Sequence, residues 1–333
     1  MLSRAANSVY WLSRYLERAE NVARFIEVNQ SLALGFGEGL NTQWAPLIHI
    51  SGDEELFLKH YDNFTEDNVL RFLAVDERNP NSILSCLMAA RENARMVRET
   101  ISAAMWEEIN KFYHAVKTMA ERPHELRQPH EFLSLVKRSS YTVIGATDVT
   151  MDHGEAWNFT NMGRLMERAD KTSRLIDVKY FILLPQPDDV GTPLDVVQWS
   201  ALLNSTTALT MYRRRHGRIK PDKVLDFLIL DRFFPRSMRF CLLRAETSLH
   251  EITGSARDSF SNRVEQLMGR LRSELDYISI EDIISSGLHE FIDGFQVKLN
   301  AIGTAVSECF FVTNEPNPDS SDSGSQTQTQ SAE

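Results

Sequence analysis

The sequence predicts an all-α fold, a helical bundle built from two internally duplicated halves with a pseudo-two-fold relation. The first observation is periodicity, because apolar residues recur at spacings of three and four along nearly every patterned segment. The second is that strand-like alternation bounded by hairpin turns is absent from the sequence. The third is a repeat: residues 14–20 (RYLERAE) return 150 positions later as residues 164–170 (RLMERAD).

A second repeated block indicates the extent of the two halves. Residues 69–90 recur at an offset of 155 as residues 224–245, with ten of 22 positions identical and no gap. Trp44 finds Trp199 at the same offset. Because chance does not produce such an identity, we expect one helical domain over residues 1–312. The first repeat would occupy about residues 1–150 and the second about residues 151–312.

Six helices are predicted in the first half. Thr65 is a plausible N-cap because acidic residues follow it, and Pro80-Asn81-Ser82 is typical of a helix start. A single long helix is expected after Ser82, and Arg122-Pro123 should end it. The predicted helices cover residues 3–33, 44–50, 54–61, 66–75, 82–121 and 131–147.

The second half repeats this plan. A polar joint at residues 150–154 precedes it, and Pro185 should stop its first helix. After Val312 the chain contains nothing apolar before Ala332, so residues 313–333 are predicted to be a disordered polar tail. The predicted helices cover residues 155–184, 194–215, 222–231, 236–253, 258–277 and 280–309.

Composition narrows the classes of function. The 333 residues are 42% hydrophobic and carry a net charge of −10. This charge argues against a dedicated nucleic-acid binder, which normally presents a broad basic face. The N-terminus lacks the apolar stretch of a signal peptide, and no run approaches the roughly 18 apolar residues of a membrane span. We therefore expect a cytoplasmic protein that contacts neither nucleic acid nor membrane.

The cysteines are consistent with a cytoplasmic protein, and the common cofactor-binding motifs are absent from the sequence. Cys86 and Cys241 occupy equivalent repeat positions and are expected to be small core residues in a reducing compartment. No phosphate-binding glycine loop, nucleophile elbow or Cys-x-x-Cys motif is present. Glu121-x-x-His124 contains Pro123, which breaks the helix that a di-iron site needs. Neither a cofactor nor a metal is predicted.

The repeated segment places charged residues along one helical face, where Tyr10, Arg14, Glu17 and Arg24 fall together. A solvated amphipathic face is the simplest interpretation. However, exposed charges are weakly constrained and two copies should have diverged, whereas Glu17 and its counterpart Glu167 are identical. We call the two charged helical faces, one in each repeat, the Glu/Arg stripes. The stripes could instead pair with each other, line a ligand or catalytic cleft, or bind a protein partner. The guanidinium fork suits carboxylates and phosphates. Glu17 and Glu167 are the catalytic candidates, and the candidate ligand-binding residues are Arg14, Arg18, Glu20, Arg24, Arg164, Arg168, Asp170 and Arg174.

A secondary anion site is conceivable in the second half. Pro235-Arg236-Ser237 is most simply a helix start, like Pro80-Asn81-Ser82. Arg236 and Arg239 could nevertheless hold an anion together with the free backbone N–H groups of that helix N-terminus.

The opening residues 1–20, MLSRAANSVYWLSRYLERAE, closely resemble the bacterial alpha-E family, as do residues 163–172 and Phe234-Pro235-Arg236-Ser237. The resemblance covers about residues 1–310. It implies a predicted α-helical domain with a Glu-Arg motif, carried over here to Glu17-Arg18 and Glu167-Arg168. Members of that family are typically encoded beside circularly permuted ATP-grasp proteins and transglutaminase-like proteins. The resemblance therefore implies these two partners and a peptide- or amide-bond-forming system.

Three hypotheses of function follow. In the first, the chain is a helper or substrate-binding subunit of an ATP-grasp-linked system and holds a carboxylate or peptide with its Glu/Arg stripes. In the second, it is an enzyme that acts on amide or peptide substrates with Glu17 or Glu167 as acid or base. In the third, it is a scaffold whose stripes form internal ion-pair networks.

Overall fold

Helices make up the fold of the protein. The computed structural model describes residues 1–36, 44–122, 129–183, 193–257 and 259–312. Within these ranges there are fifteen α-helices, a closing π-helical turn at Ser307–Phe311 and no strand, which confirms the all-α prediction. None of the described helices is long and apolar enough to cross a membrane.

The helices of the first half are α1 Ser3–Phe36, α2 Ala45–Ser51, α3 Glu54–Leu58, α4 Glu66–Ala74, α5 Ile83–Met96, α6 Ala103–Ala120 and α7 Pro129–Thr150. Those of the second half are α8 Glu155–Leu183, α9 Pro193–Ser205, α10 Leu209–His216, α11 Pro221–Ile229, α12 Met238–Thr253, α13 Arg263–Tyr277, α14 Ile280–Ser286 and α15 Leu288–Val306.

Four helices form the centre of the fold. Helices α1 and α8, which carry the repeated stripes, pack against each other. Helix α5 packs on α1, and α12 packs on α8. Two further helices contact the opposite half of the sequence: α2 contacts α8, and α9 contacts α1. Each stripe-bearing helix therefore contacts helices from both halves of the sequence; the pseudo-two-fold relation between the halves stays a prediction.

Serine caps explain where the two flanking helices begin. The Ser82 hydroxyl accepts a hydrogen bond from the Ser85 backbone N–H at the start of α5, and Ser237 accepts one from Phe240 at the start of α12. Such caps satisfy N–H groups that have no partner within the helix. Both Pro-x-Ser elements are therefore helix starts, as the sequence predicts.

Three predicted helices are each broken in two. The helix expected over 82–121 ends at Met96 and restarts behind the Ser102 cap. The helix expected over 194–215 breaks at Thr207, whose φ of 52° is left-handed. The helix expected over 280–309 breaks at Gly287, whose φ is 99°. Periodicity concealed the first break because Val97 and Ile101, on the connecting turn, are themselves buried.

Some predictions fall where no structure is described. The helix stop at Pro185, the break at Pro123 and the polar tail 313–333 lie outside the described residues. The boundary between the two repeats at residues 151–154 lies in the turn between α7 and α8.

Candidate functional site

A glycine sets the close approach of α1 and α8. A Cβ atom added to Gly163 would lie 2.5 Å from the Tyr10 carbonyl oxygen and 2.6 Å from Ser13 Oγ. The absence of a side chain therefore lets the backbones of the two helices nearly touch. Glu17 follows Ser13 by four residues on α1, and Glu167 follows Gly163 by four residues on α8. The crossing therefore brings the two glutamates close together.

The two Glu-Arg dipeptides bind each other reciprocally. Arg168 of α8 donates from Nε and Nη2 to Glu17 of α1 at 2.8 and 2.7 Å. Arg18 of α1 donates from Nε and Nη2 to Glu167 of α8 at 2.7 and 3.1 Å. Both pairs are bidentate, the strongest geometry available to arginine and carboxylate. Each repeat therefore supplies the carboxylate that neutralises the arginine of the other.

Further cations surround each central carboxylate. Arg236, at the start of α12, donates to Glu17 at 3.1 Å. Arg14 donates from Nε to Glu167 at 2.8 Å, and Lys171 Nζ lies 3.6 Å from that carboxylate. We call these contacts around Glu17 and Glu167 the ion-pair core.

Glu20 extends the ion-pair core toward the outer helices. Its carboxylate accepts from Arg24 at 2.6 Å, from Arg236 at 2.6 Å and from the Ser140 hydroxyl at 2.8 Å. Arg24, fully buried, also donates to the Ser205 carbonyl oxygen at 2.7 Å and to Tyr141 Oη. At the corresponding positions of the second repeat, Asp170 accepts from Arg174 at 3.0 Å and lies 2.9 Å from Lys171 Nζ.

The solvated-face interpretation of the stripes is wrong. Glu17 is 1% exposed, and Glu20, Arg24 and Glu167 are 0% exposed. Burial of so many charges is tolerated because every one of these four side chains has an oppositely charged partner with good geometry. The structure thus brings together both catalytic candidates and most of the predicted ligand-binding residues, but they bind each other.

Burial and ion pairing compete at the two central carboxylates. Burial alone would raise the pKa of Glu17, but the Arg168 and Arg236 guanidinium groups outweigh it and hold that pKa well below its usual range. Burial would also raise the pKa of Glu167, but Arg18 and Arg14 outweigh burial and lower that pKa. Both groups are therefore ionised at neutral pH. A carboxylate held in this state is a poor general acid or base, because an effective one has a pKa near the operating pH.

Arg164 differs from the other stripe arginines. Its Nη2 donates to Asn161 Oδ1 at 2.6 Å, yet no ion pair with Arg164 occurs among the described residues and its buried Nε has no hydrogen-bond partner there. Burial, reinforced by repulsion from Arg168, lowers its pKa to about 10, so the side chain still carries its charge at neutral pH. Its counterpart Arg14, by contrast, donates to Glu167.

Arg164 lines a pocket between α1, α6, α7 and α8. The pocket is small, with a cavity volume of about 30 Å³, and it opens to solvent. The corresponding side of the fold at Arg14 is filled, because Gly303 of α15 lies beside that guanidinium and Phe311 of the π-helical turn packs on Tyr10. We call the cavity the Arg164 pocket; its lining is Leu12, Ser13, Leu16, Glu17, Met105, Ser140, Val143, Ile144, Thr147, Asp148, Trp157, Thr160, Asn161 and Arg164.

The predicted secondary anion site separates into two places. Arg236 points into the ion-pair core, where it donates to Glu17, Glu20 and Asn21. Arg239 donates to Asp276 on α13 at 2.6 Å. Both guanidinium groups are thus occupied by carboxylates of the chain itself.

The cysteines and the possible metal ligands remain to be placed. Cys86 and Cys241 are buried free thiols, and burial raises the pKa of each to about 12, as expected of core residues. In the part of the chain that the structure describes, no group of three His, Cys, Asp or Glu side chains could hold a metal ion.

Gly163, Ser140 and Tyr141 were not predicted as site residues. Sequence did carry a signal for Gly163, because a glycine inside a helical pattern often marks a close packing contact. Ser140 and Tyr141 carry no comparable signal, although Ser140 lies on the buried face of α7 with Val136 and Val143.

Comparison with known proteins identifies the fold family. A family model named Alpha-E, described as a predicted alpha-helical domain with a conserved ER motif, matches residues 1–311. The chain belongs to the Alpha-E family. This confirms the resemblance of the opening residues, while the association with ATP-grasp and transglutaminase-like proteins stays a prediction.

The relatives of this Alpha-E chain are longer proteins. Uncharacterised proteins of Mycobacterium bovis and Mycobacterium tuberculosis are 23% identical over 328 residues, covering 91% of this chain and 36% of their own length. The chain thus spans about a third of the curated relatives that it matches. No solved structure matches it.

The ion-pair core predicts acid sensitivity of this Alpha-E chain. Glu17 and Glu167 have lowered pKa values when folded, against about 4.3 for an unfolded glutamate. Their contribution is fully present above about pH 5 and is lost as pH falls, because the unfolded chain then binds more protons. Each should lower the unfolding free energy by up to about 1.4 kcal/mol per pH unit.

Urea unfolding between pH 3 and 7 measures this effect. The Glu17→Gln/Glu167→Gln variant should show a shallower loss below pH 5 than the wild type. Equal slopes for the two proteins would contradict the assignment.

Proposed function

We propose that this Alpha-E chain is a non-nucleotide-binding helical helper subunit of an ATP-grasp-linked peptide- or amide-bond-forming system, and that it holds a carboxylate-bearing ligand in the Arg164 pocket. The ion-pair core fixes the crossing of α1 and α8 and so positions the pocket. The Glu/Arg stripes therefore serve binding through Arg164, which forms no ion pair among the described residues.

The state of Arg164 carries this proposal. Arg164 is half-buried and forms no ion pair among the described residues, although Glu17 and Asp148 attract its guanidinium from a distance. The matched position in the first repeat carries Arg14, which donates to Glu167. A charge that lines an open pocket without forming an ion pair is characteristic of a binding site, because such sites place a few polar groups where a ligand can reach them. A carboxylate ligand would supply the missing partner.

The two alternatives fit this site less well. Glu17 and Glu167 are held ionised by arginines, which disfavours acid or base catalysis by either group. A pure scaffold accounts for the ion-pair core but gives no reason for Arg164. The ATP-grasp partner is inferred from the family resemblance alone. ATP-grasp enzymes activate carboxylates for attack by amines, which agrees with a carboxylate-bearing ligand.

Replacement of Arg164 by methionine tests the proposal. We expect the Arg164→Met variant to co-purify with an ATP-grasp partner as the wild type does and to melt at about the wild-type temperature, because Arg164 forms no ion pair among the described residues. Yield of the amide product in the reconstituted system should fall at least tenfold. The measurements are thermal unfolding, co-purification and product quantification by mass spectrometry.

Two variants serve as controls. Arg4→Met removes an exposed arginine from α1 and should change neither property. Arg14→Met removes the paired counterpart and should lower the melting temperature, since it breaks a contact with the buried Glu167. Unchanged product yield from folded Arg164→Met would refute the proposal, as would an absence of complex formation by the wild type.

A further inference from the structure

We infer that the Arg164 pocket binds a small monocarboxylate with a short apolar chain, either as a free acid or as the end of a longer ligand. This inference rests on the proposed function and names the class of ligand. It follows from the unused hydrogen-bond donors of the pocket, from the charge around it and from its apolar wall.

Most of the donor groups of Arg164 have no acceptor. Arg164 carries five N–H groups, and within the described residues a single hydrogen bond, to Asn161, uses them. Its buried Nε has no hydrogen-bond partner there. A ligand for this pocket must therefore bring hydrogen-bond acceptors.

The hydroxyl groups of the pocket are already committed as donors. Ser13 donates to the Tyr10 carbonyl oxygen at 2.8 Å, and Ser140 donates to Glu20 at 2.8 Å. Thr147 and Thr160 donate to carbonyl oxygens of their own helices. Because these hydroxyls offer a ligand no free proton, recognition falls to the guanidinium fork, whose geometry matches the two oxygens of a carboxylate.

The charge and the apolar wall of the pocket favour a monocarboxylate over other anions. Glu17 and Asp148 also line the pocket and attract the Arg164 guanidinium. Their negative charge disfavours a second charge on a ligand, so a monocarboxylate is favoured over a phosphate dianion. The rest of the wall is apolar, formed by Leu12, Leu16, Met105, Val143 and Ile144. A short alkyl chain would pack against this wall, and the apolar surface removed from water would favour butyrate over acetate.

Titration of the purified full-length chain tests the inference. The probes are acetate, butyrate, inorganic phosphate and butyramide, the last being the uncharged counterpart of butyrate. The readouts are the Nε–Hε resonance of Arg164 by NMR, assigned with the Arg164→Gln variant, and the affinity by calorimetry. We expect butyrate to shift that resonance and to bind more tightly than acetate. Butyramide and phosphate should bind at least tenfold more weakly than butyrate.

Variants decide whether Arg164 is responsible. Arg164→Gln should lose at least tenfold in butyrate affinity, whereas Arg4→Gln, at an exposed position of α1, should bind as the wild type does. Equal binding by wild type and Arg164→Gln would overturn the inference, as would equal binding of butyrate and butyramide or no binding of butyrate. Unfolding curves of the variants establish that each is folded.

The outcome separates this inference from the proposed function. If butyrate fails to bind while product formation still requires Arg164, the ligand class is wrong and the helper role stands. If butyrate binds through Arg164 but the chain forms no complex with the ATP-grasp protein, the binding site stands and the helper role is refuted.

Discussion

The Glu17→Gln/Glu167→Gln double variant should melt more than about 10 °C below the wild type. Both carboxylates are buried, and together they neutralise Arg14, Arg18, Arg168 and Arg236. Glutamine nearly preserves the shape of glutamate but removes its charge, so these guanidinium groups would remain buried with reduced compensation. Removal of one partner from a buried ion pair costs about 3–5 kcal/mol, and each kcal/mol lowers the melting temperature of a large domain by about 2–4 °C.

Differential scanning calorimetry measures this change, and a surface pair supplies the control. Glu55 forms a helical pair with Lys59 at 3.0 Å, and its side chain is 89% exposed. Glu55→Gln should therefore shift the melting temperature by less than about 2 °C, because exposed pairs contribute little. An unchanged melting temperature for the double variant would mean that the ion-pair core does not stabilise the fold.

The sequence predicts the helices well because their signals are local. Apolar spacing, the Thr65 cap and the Pro-x-Ser starts each act within a few residues, and they place the starts of α4, α5 and α12 to within about two residues. The breaks at Thr207 and Gly287 were not predicted either. At Thr207 the buried residues continue from Thr206 to Ala208 and Tyr212, so periodicity gives no sign of the break. At Gly287 no residue between Ile283 and Ile292 is buried, and the glycine itself was the available signal.

The ion-pair core was only partly predictable. The repeat of Glu17-Arg18 as Glu167-Arg168 identifies the charged residues and raises internal pairing as one interpretation. The pairing itself depends on the crossing geometry of α1 and α8, which spacing along a single helix does not contain. The asymmetry at Arg164 depends on which side α15 and the π-helical turn cover, so the sequence offered no reason to separate it from Arg14.

Gly163→Ala, a change of one methyl group, is expected to destabilise the protein by several kcal/mol. The added Cβ would lie 2.5 Å from the Tyr10 carbonyl oxygen, closer than real Cβ contacts approach, and the obstacle is backbone that has no rotamer to change. Helices α1 and α8 would have to separate. The bidentate contacts Arg168–Glu17 and Arg18–Glu167, which span this crossing, would lengthen together, so loss of packing and loss of ion pairing add to each other.

Two other helical glycines make this prediction discriminating. A Cβ added at Gly145 of α7 or at Gly294 of α15 meets nothing within 4 Å, and alanine favours a helix over glycine by about 1 kcal/mol. Gly145→Ala and Gly294→Ala should therefore raise the unfolding free energy slightly, while Gly163→Ala lowers it. Urea unfolding of the three variants measures the opposite signs. If Gly163→Ala proved as stable as the other two, α1 and α8 would cross at a greater distance than described, and the reciprocal Glu-Arg contacts that depend on the crossing would have to be weaker as well.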